Sequence, residues 1–182
     1  MADNTVQKII DAALKVFGEK GYKGATTRLI AEEAGFSELT LFRKFKTKEN
    51  LFDMALTQNI VKFNDEFQSI ILEDRSEDPG EFLRTLIKDM ARIVDDNFEF
   101  IHITNNEKSE ESQPFKEEII NDLSNYIKKN IPDNQIDNKA LAVTIFMVSY
   151  GISLSKHRGE NFINHEEVLD GFINNSLQLI NG

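Results

Sequence analysis

The chain has no cysteine and no tryptophan, and only three prolines among its 182 residues. Without thiols there can be no disulfide, zinc–thiolate site or cysteine nucleophile, a pattern that suits a reducing cytoplasm. Long apolar runs are also missing. No stretch approaches the roughly 18 apolar residues that a membrane span needs. The opening MADNTVQKII has neither the basic start nor the apolar centre of a secretory signal. A soluble, cytoplasmic protein without a membrane partner is expected. Signatures of catalysis are missing too: there is no G-x-S-x-G, no phosphate-binding glycine loop and no H-E-x-x-H. The three histidines, His102, His157 and His165, do not fall at a metal-ligand spacing and read as structural or surface residues. No enzyme activity, cofactor or metal is expected.

What is present is charge, unevenly spread. Residues 1–50 carry nine Lys/Arg and seven Asp/Glu, a net of +2; residues 51–182 carry twelve and twenty-four, a net of −12. Attraction to phosphates acts over about a Debye length of 8–10 Å, so a local excess counts for more than the total. A mildly basic head on an acidic body fits a DNA binder whose body repels the duplex. It equally fits a surface charged only for solubility, and charge alone favours the second reading.

The apolar spacing is helical throughout, with no convincing strand. Val6, Ile9, Ile10, Ala13, Leu14 and Phe17 place one face of a first helix at 4–21, with Asn4 as its cap and Gly21 as its end. Two short helices follow at about 27–34 and 37–45, capped by Thr26 or Thr27 and by Ser37 and separated at Gly35. A long helix runs from Thr47 to about Leu72, and Pro79 opens another to about Asp95. Residues 98–103 are open between helix and turn, and the polar run 104–113 reads as a loop. Helices from Pro114 to about Asn130, at 137–157 and at 165–180 complete about nine. The fold class is all-α: a three-helix head over residues 1–47 and a larger helical body over 48–182.

The informative stretch is 27–46, TRLIAEEAGFSELTLFRKFK. Two short helices crossing steeply need a small residue where they touch, a residue tolerant of positive φ in the turn, and an inward apolar anchor on the second helix. Ala31, Gly35 and Leu41 stand at those offsets, which match a helix-turn-helix. The second helix would then enter the major groove. Ser37, Glu38, Thr40, Arg43 and Lys44 are placed to reach base edges or phosphates, and Leu39 and Phe42 a thymine methyl. Thr26, Thr27 and the amides beside them suit a phosphate, and Lys46 and Lys48 the same backbone. A plainer reading stays open residue by residue. The cations can form an ordinary solvated face, Glu38 can serve the helix dipole, and Phe42 can belong to the core.

Residues 6–53 resemble the N-terminal domain of the tetracycline-repressor (TetR) family. The resemblance rests on the Phe17–Gly21 helix end, the Thr26–Thr27 pair, Ala31, Ala34–Gly35, Ser37, the Thr40–Leu41–Phe42 block, Phe45 and the Lys46–Lys48–Glu49 run. It covers about a quarter of the chain. It implies a homodimer docking two successive major grooves of a near-palindromic operator, with Thr27, Arg28, Glu38, Leu39, Thr40, Phe42, Lys44 and Lys48 at positions of DNA contact. Two positions depart from the family pattern. Phe42 stands where Tyr is usual and lacks the hydroxyl that bonds a phosphate; Lys44 stands where His or Tyr is frequent and adds charge.

The resemblance also shapes the reading of the body. The helix at 137–157, apolar on most sides, and the last helix are similar to the family's dimer-forming pair. Val148, Ile152, Leu169, Phe172, Ile173 and Leu177 are the candidate interface residues. An internal pocket for a small, hydrophobic effector is implied, with Phe63, Phe67, Met90, Phe98, Phe146, Met147 and Tyr150 as candidate lining. Such side chains at helical spacing are more often plain core. The resulting expectation is a repressor released from double-stranded DNA by an effector. The alternatives are a helical carrier or sensor of a hydrophobic molecule without sequence-specific DNA binding, and a structural DNA-associated or protein-interaction module.

Overall fold

The computed structural model describes residues 4–73, 76–107, 112–132 and 136–181. Among these, nine helices account for the regular structure: α1 (Asn4–Gly24), α2 (Thr27–Ala34), α3 (Glu38–Phe45), α4 (Lys48–Ile71), α5 (Pro79–Asp96), α6 (Phe98–Asn106), α7 (Ser112–Asn130), α8 (Asn138–His157) and α9 (His165–Asn181). None of these helices is long and apolar enough to cross a membrane. The all-α expectation holds.

The chain divides into two compact units. One comprises Met1–Lys62 with Glu99–Ser112, and the other Phe63–Phe98 with Gln113–Gly182. The unit holding the helix-turn-helix thus reaches past residue 47 and takes in nearly all of α6.

The first unit is built on α1. Its inward stripe of Ile9, Ile10, Ala13 and Phe17 is buried, as are Ile30, Ala31, Leu41, Phe45, Leu51 and Phe52. Phe17 meets Phe52 edge-on at 5.0 Å and lies parallel to Tyr22 at 5.9 Å. Gly21 has φ 68° and ψ 168°. It therefore interrupts α1, as expected, but does not end it: the chain regains helix for one more turn to Gly24, closed by the Ala25 N–H donating to the Gly21 carbonyl at 3.0 Å. The kink is fastened from far along the chain, because the Tyr22 N–H donates to Glu107 Oε1 at 2.8 Å. A side chain at Gly21 would be strained by the positive φ and would bring its Cβ to 3.0 Å from that same oxygen.

The segment left open at 98–103 is helical and continues to Asn106, so the loop expected over 104–113 is overturned at both ends. Residues 104–106 belong to α6, residues 112–113 begin α7, and 108–111 lie outside the described residues. The polar run stays helical because its side chains turn back on the helix. Thr104 Oγ1 donates to the Ile101 carbonyl at 3.0 Å, and Asn106 Nδ2 to that of His102 at 2.7 Å. Pro114 sits in the first turn of α7, where a missing N–H costs nothing.

In the second unit α5 packs against α8 and α9. Asp78 caps α5, its Oδ1 accepting from the Glu81 N–H at 2.8 Å, and Phe82, Leu83, Leu86, Ile87, Met90, Ile93 and Val94 form its buried stripe. The facing side of α8 mixes Leu141, Ala142, Ile145 and Phe146 with three buried serines, Ser149, Ser153 and Ser155. Each hydroxyl is satisfied: Ser149 donates to the Ile145 carbonyl, Ser153 to Asp95 Oδ1, and Ser155 lies 3.1 Å from His165 Nε2.

Candidate nucleic-acid interface

Three local devices set the α2–α3 corner. The Thr26 hydroxyl accepts from the Leu29 N–H at 3.2 Å, starting α2. Gly35 takes φ 74° and ψ 28°, and the amides of Gly35 and Phe36 return to the Glu32 and Ala31 carbonyls at 3.2 and 2.9 Å. Ser37 then caps α3 by accepting from the Thr40 N–H at 3.2 Å. Ala31 and Leu41, expected where the helices touch, are 2% and 0% exposed. Phe45 completes this small core. Helices of eight residues are marginal alone, so these buried contacts hold them.

What the corner turns outward is a mixed apolar and cationic face. Leu39 is 61% exposed and Phe42 43%, so Phe42 is not a core residue. Ser37, Glu38, Arg43, Lys44 and Lys46 are exposed around them, and Thr40 is half-buried. The Arg43 side chain has no partner among the described residues. Thr26 and Arg28 are exposed and Thr27 half-buried at the start of α2.

Several of these side chains are already engaged. Thr27 Oγ1 donates a short hydrogen bond to Glu38 Oε1, tying the start of α3 to the start of α2. Arg28 Nε donates to Glu32 Oε1 at 2.9 Å across one turn, and that bond with the Glu32 charge raises the guanidinium pKa further. Lys46 takes φ 67°, unusual for a residue with a side chain, and its Nζ caps the α3 end at the Arg43 carbonyl, 3.1 Å away. Lys48 departs most from the expected phosphate grip. Its Nζ donates to the Tyr22 and Ala25 carbonyls at 2.8 and 3.0 Å and lies 4.3 Å from the Tyr22 ring centroid. It fastens the start of α4 to the kinked end of α1. Burial, and then the nearby carboxylates of Glu49 and Asp53, push the Tyr22 phenol up, keeping it neutral under the ammonium.

This corner lies inside the stretch, residues 9–55, that matches the family described as bacterial regulatory proteins, tetR family. The match spans the helix-turn-helix and the start of α4, about a quarter of the chain. Among curated relatives, YvkB of Bacillus subtilis, an HTH-type transcriptional regulator, is 46% identical over 55 residues, which is 30% of this chain and 29% of YvkB. Such sequence matches cover less than a third of each relative's length. Solved TetR-like structures extend the likeness over the whole fold. A candidate fatty acid metabolism regulator of Clostridium perfringens is 26% identical with a TM-score of 0.72, covering 95% of this chain and 98% of the other. AibR, in complex with isovaleryl coenzyme A and operator DNA, is 17% identical with a TM-score of 0.71, covering 93% and 96%; at that identity the likeness is one of fold alone.

In the body of this chain the candidate pocket residues fall in separate places. Phe63 and Phe67 are fully buried on α4, their rings 6.3 Å apart, and Phe115 meets Phe63 edge-on at 5.5 Å. Met90 is fully buried on α5. Phe98 stacks on His157 at 4.0 Å, with Tyr150 parallel to it at 6.5 Å. Phe146 is buried and Met147 is 49% exposed; both line an apolar crevice of about 60 Å³ between α7 and α8. Of the candidate interface residues, Ile173 is fully buried within the chain, while Val148, Ile152, Leu169, Phe172 and Leu177 are half-buried. Nothing in the local spacing marks Tyr22 or Glu107, whose partners lie far away in the chain. Glu32, four residues after Arg28, was open to the i, i+4 rule.

Proposed function

We propose that this chain is a cytoplasmic, sequence-specific regulator of transcription, most simply a repressor, that binds a near-palindromic operator as a homodimer and is released by a small effector. It binds and releases, and catalyses nothing. The observation that carries the reading is the outward face of α3, where Leu39 and Phe42 stand exposed beside Arg43 and Lys44 on a helix capped and cornered for the major groove. Residues 1–47 are the DNA-binding part in this reading. Thr26, Thr27, Ser37, Glu38 and Thr40 position or read the duplex, and Arg28 and Lys46 stand beside the phosphates. Lys48 works by holding α4 against the α1 kink.

Residues 48–182 supply dimerisation and effector binding. Support for a dimer through α8 and α9 comes from their exposed apolar side chains, Val143 and Met147 on one and Val168 and Leu179 on the other. Gly151 and Gly171, on the same two helices, have open space where a Cβ would stand. A mid-helix glycine costs about 0.5–1 kcal/mol relative to Ala, which a closely approaching partner helix would offset. The fold shared with AibR, and its bound isovaleryl coenzyme A, support an acyl thioester as effector.

Selection of bound duplexes from a random DNA pool tests the reading. A near-palindrome should be enriched near physiological salt, and Arg43→Ala with Lys44→Ala should reduce its binding by at least a hundredfold. Failure of a folded, dimeric protein to enrich any sequence, with and without acyl thioesters present, would overturn it.

A further inference from the structure

A second concavity lies wholly within the Phe63–Phe98 and Gln113–Gly182 unit, and none of the aromatic or methionine pocket candidates lines it. Near the start of α5 that helix and α9 are close: a Cβ at Gly80 would stand 3.6 Å from Leu177 Cδ2. Further along α5, residues of α5, α8 and α9 together line a gap. The resulting cleft has a volume of about 490 Å³, within the roughly 300–1,000 Å³ of small-molecule sites.

The lining is divided by chemistry. Ala91, Ile152 and Leu169 give an apolar wall, and the buried Ser149 and Ser153 lie at the floor. Around them stand Lys88, Arg92 and Lys156, with His165 at the α9 end. Two carboxylates also line the cleft, Asp95 and Glu166. Asp95 is consumed internally: Lys156 Nζ donates to one of its oxygens and Ser153 to the other, and His157 Nε2 lies 3.3 Å away. Lys88 has no partner among the described residues. Arg92 reaches Asp89 and Asp96 only at 3.7 Å, too long for good hydrogen bonds, and neither carboxylate lines the cleft. Two cations with unspent hydrogen-bonding capacity therefore face an apolar-walled gap, in a body that is otherwise strongly acidic.

We propose that this cleft binds a small amphiphilic oxyanion, a phosphate or carboxylate head held by Lys88 and Arg92 with a short apolar portion against Ile152 and Leu169. Arg92 offers a planar fork matched to either head group, and Lys88 a point charge beside it. Carbon atoms sheltered from water on the apolar wall add affinity that inorganic ions would lack.

Calorimetric titration of the full-length protein with octyl phosphate, octanoate, octylamine and octyl glucoside tests this without DNA, so its failure leaves the regulator reading untouched. At least one of the two anions should bind at least tenfold more tightly than the amine or the glucoside. Preference for the phosphate or the carboxylate identifies the head group. Lys88→Glu with Arg92→Glu should abolish that preference, whereas Lys88→Arg should keep it. Lys129→Glu, an equal charge change per site on exposed α7 surface, should leave it intact. Both Lys88 and Arg92 are exposed, so the double variant should fold, which circular dichroism verifies. Absence of anion binding, equal binding of the amine, or an unchanged preference in the folded double variant would each overturn the proposal.

Discussion

Helices α3 and α8 both leave large apolar side chains in water, but in different electrostatic settings. On α3, Leu39 and Phe42 are flanked within a few residues by Arg43, Lys44 and Lys46. On α8, Val143 and Met147 lie in a sixteen-residue stretch, 140–155, without a single charged residue. Apolar exposure alone does not say what a surface meets. Framed by cations on a slim, doubly capped helix, it addresses a polyanion that carries methyl groups. With no charge on its own stretch of helix, it suits another apolar surface.

The contrast breaks most visibly at Met147. Met147→Glu puts a carboxylate where a partner helix should pack, and burying an unpaired charge costs about 3–5 kcal/mol. Sedimentation velocity at micromolar concentration should show monomers in place of dimers, with the helical circular dichroism kept because the side chain is half exposed. A dimer that survives would remove α8 from the interface.

A smaller effect is expected on the DNA side. Replacing thymine by deoxyuridine in the selected operator deletes only methyl groups, and each apolar methyl contact is worth about 0.8 kcal/mol, or roughly fourfold in affinity. The loss should disappear in Leu39→Ala with Phe42→Ala. Equal binding of thymine and uracil duplexes by the unaltered protein would mean that the two exposed side chains touch no methyls.

The corner that carries this face was legible because its determinants are local. Thr26, Gly35 and Ser37 act on amides and carbonyls within four residues, so their spacing in the sequence is their geometry. Lys48 was not legible. A lysine beside a helix start reads as a phosphate grip, and only the folded chain brings the Tyr22 and Ala25 carbonyls under its ammonium. The polar run after Ile103 misled for a related reason: composition does not say whether Thr104 and Asn106 turn toward water or back onto their own helix. In the body, periodicity located the stripes but not the cleft, which is lined jointly by α5, α8 and α9.

The smallest effect expected concerns Asp95. Burial pushes its carboxyl up, but hydrogen bonds from Lys156 and Ser153, with the charges of Lys156 and His157, outweigh this and hold it below the usual carboxylate range. A depressed folded-state value stabilises the fold above the unfolded value of about 3.9 and loses that contribution as pH falls through the folded one. Asp95→Asn should therefore lower the melting temperature modestly at neutral pH, with the gap to the unaltered protein closing in acid. A gap that persists undiminished at the lowest pH would separate the stabilising role of Asp95 from its charge.

The bond from the Tyr22 amide to Glu107 also bears on how the head is made. Its partners are 85 residues apart, and α6 reaches the same helix at Gly18, where a Cβ would lie 3.5 Å from that of Glu99. On the ribosome, α1 to α3 emerge first, yet the acceptor that fastens the α1 kink is synthesised only after α5 is complete. Until then the Tyr22 N–H can turn only to water or a temporary partner. The nascent head should consequently remain open to proteolysis near Gly21 through the synthesis of α4 and α5, and become resistant once Glu107 has cleared the exit tunnel.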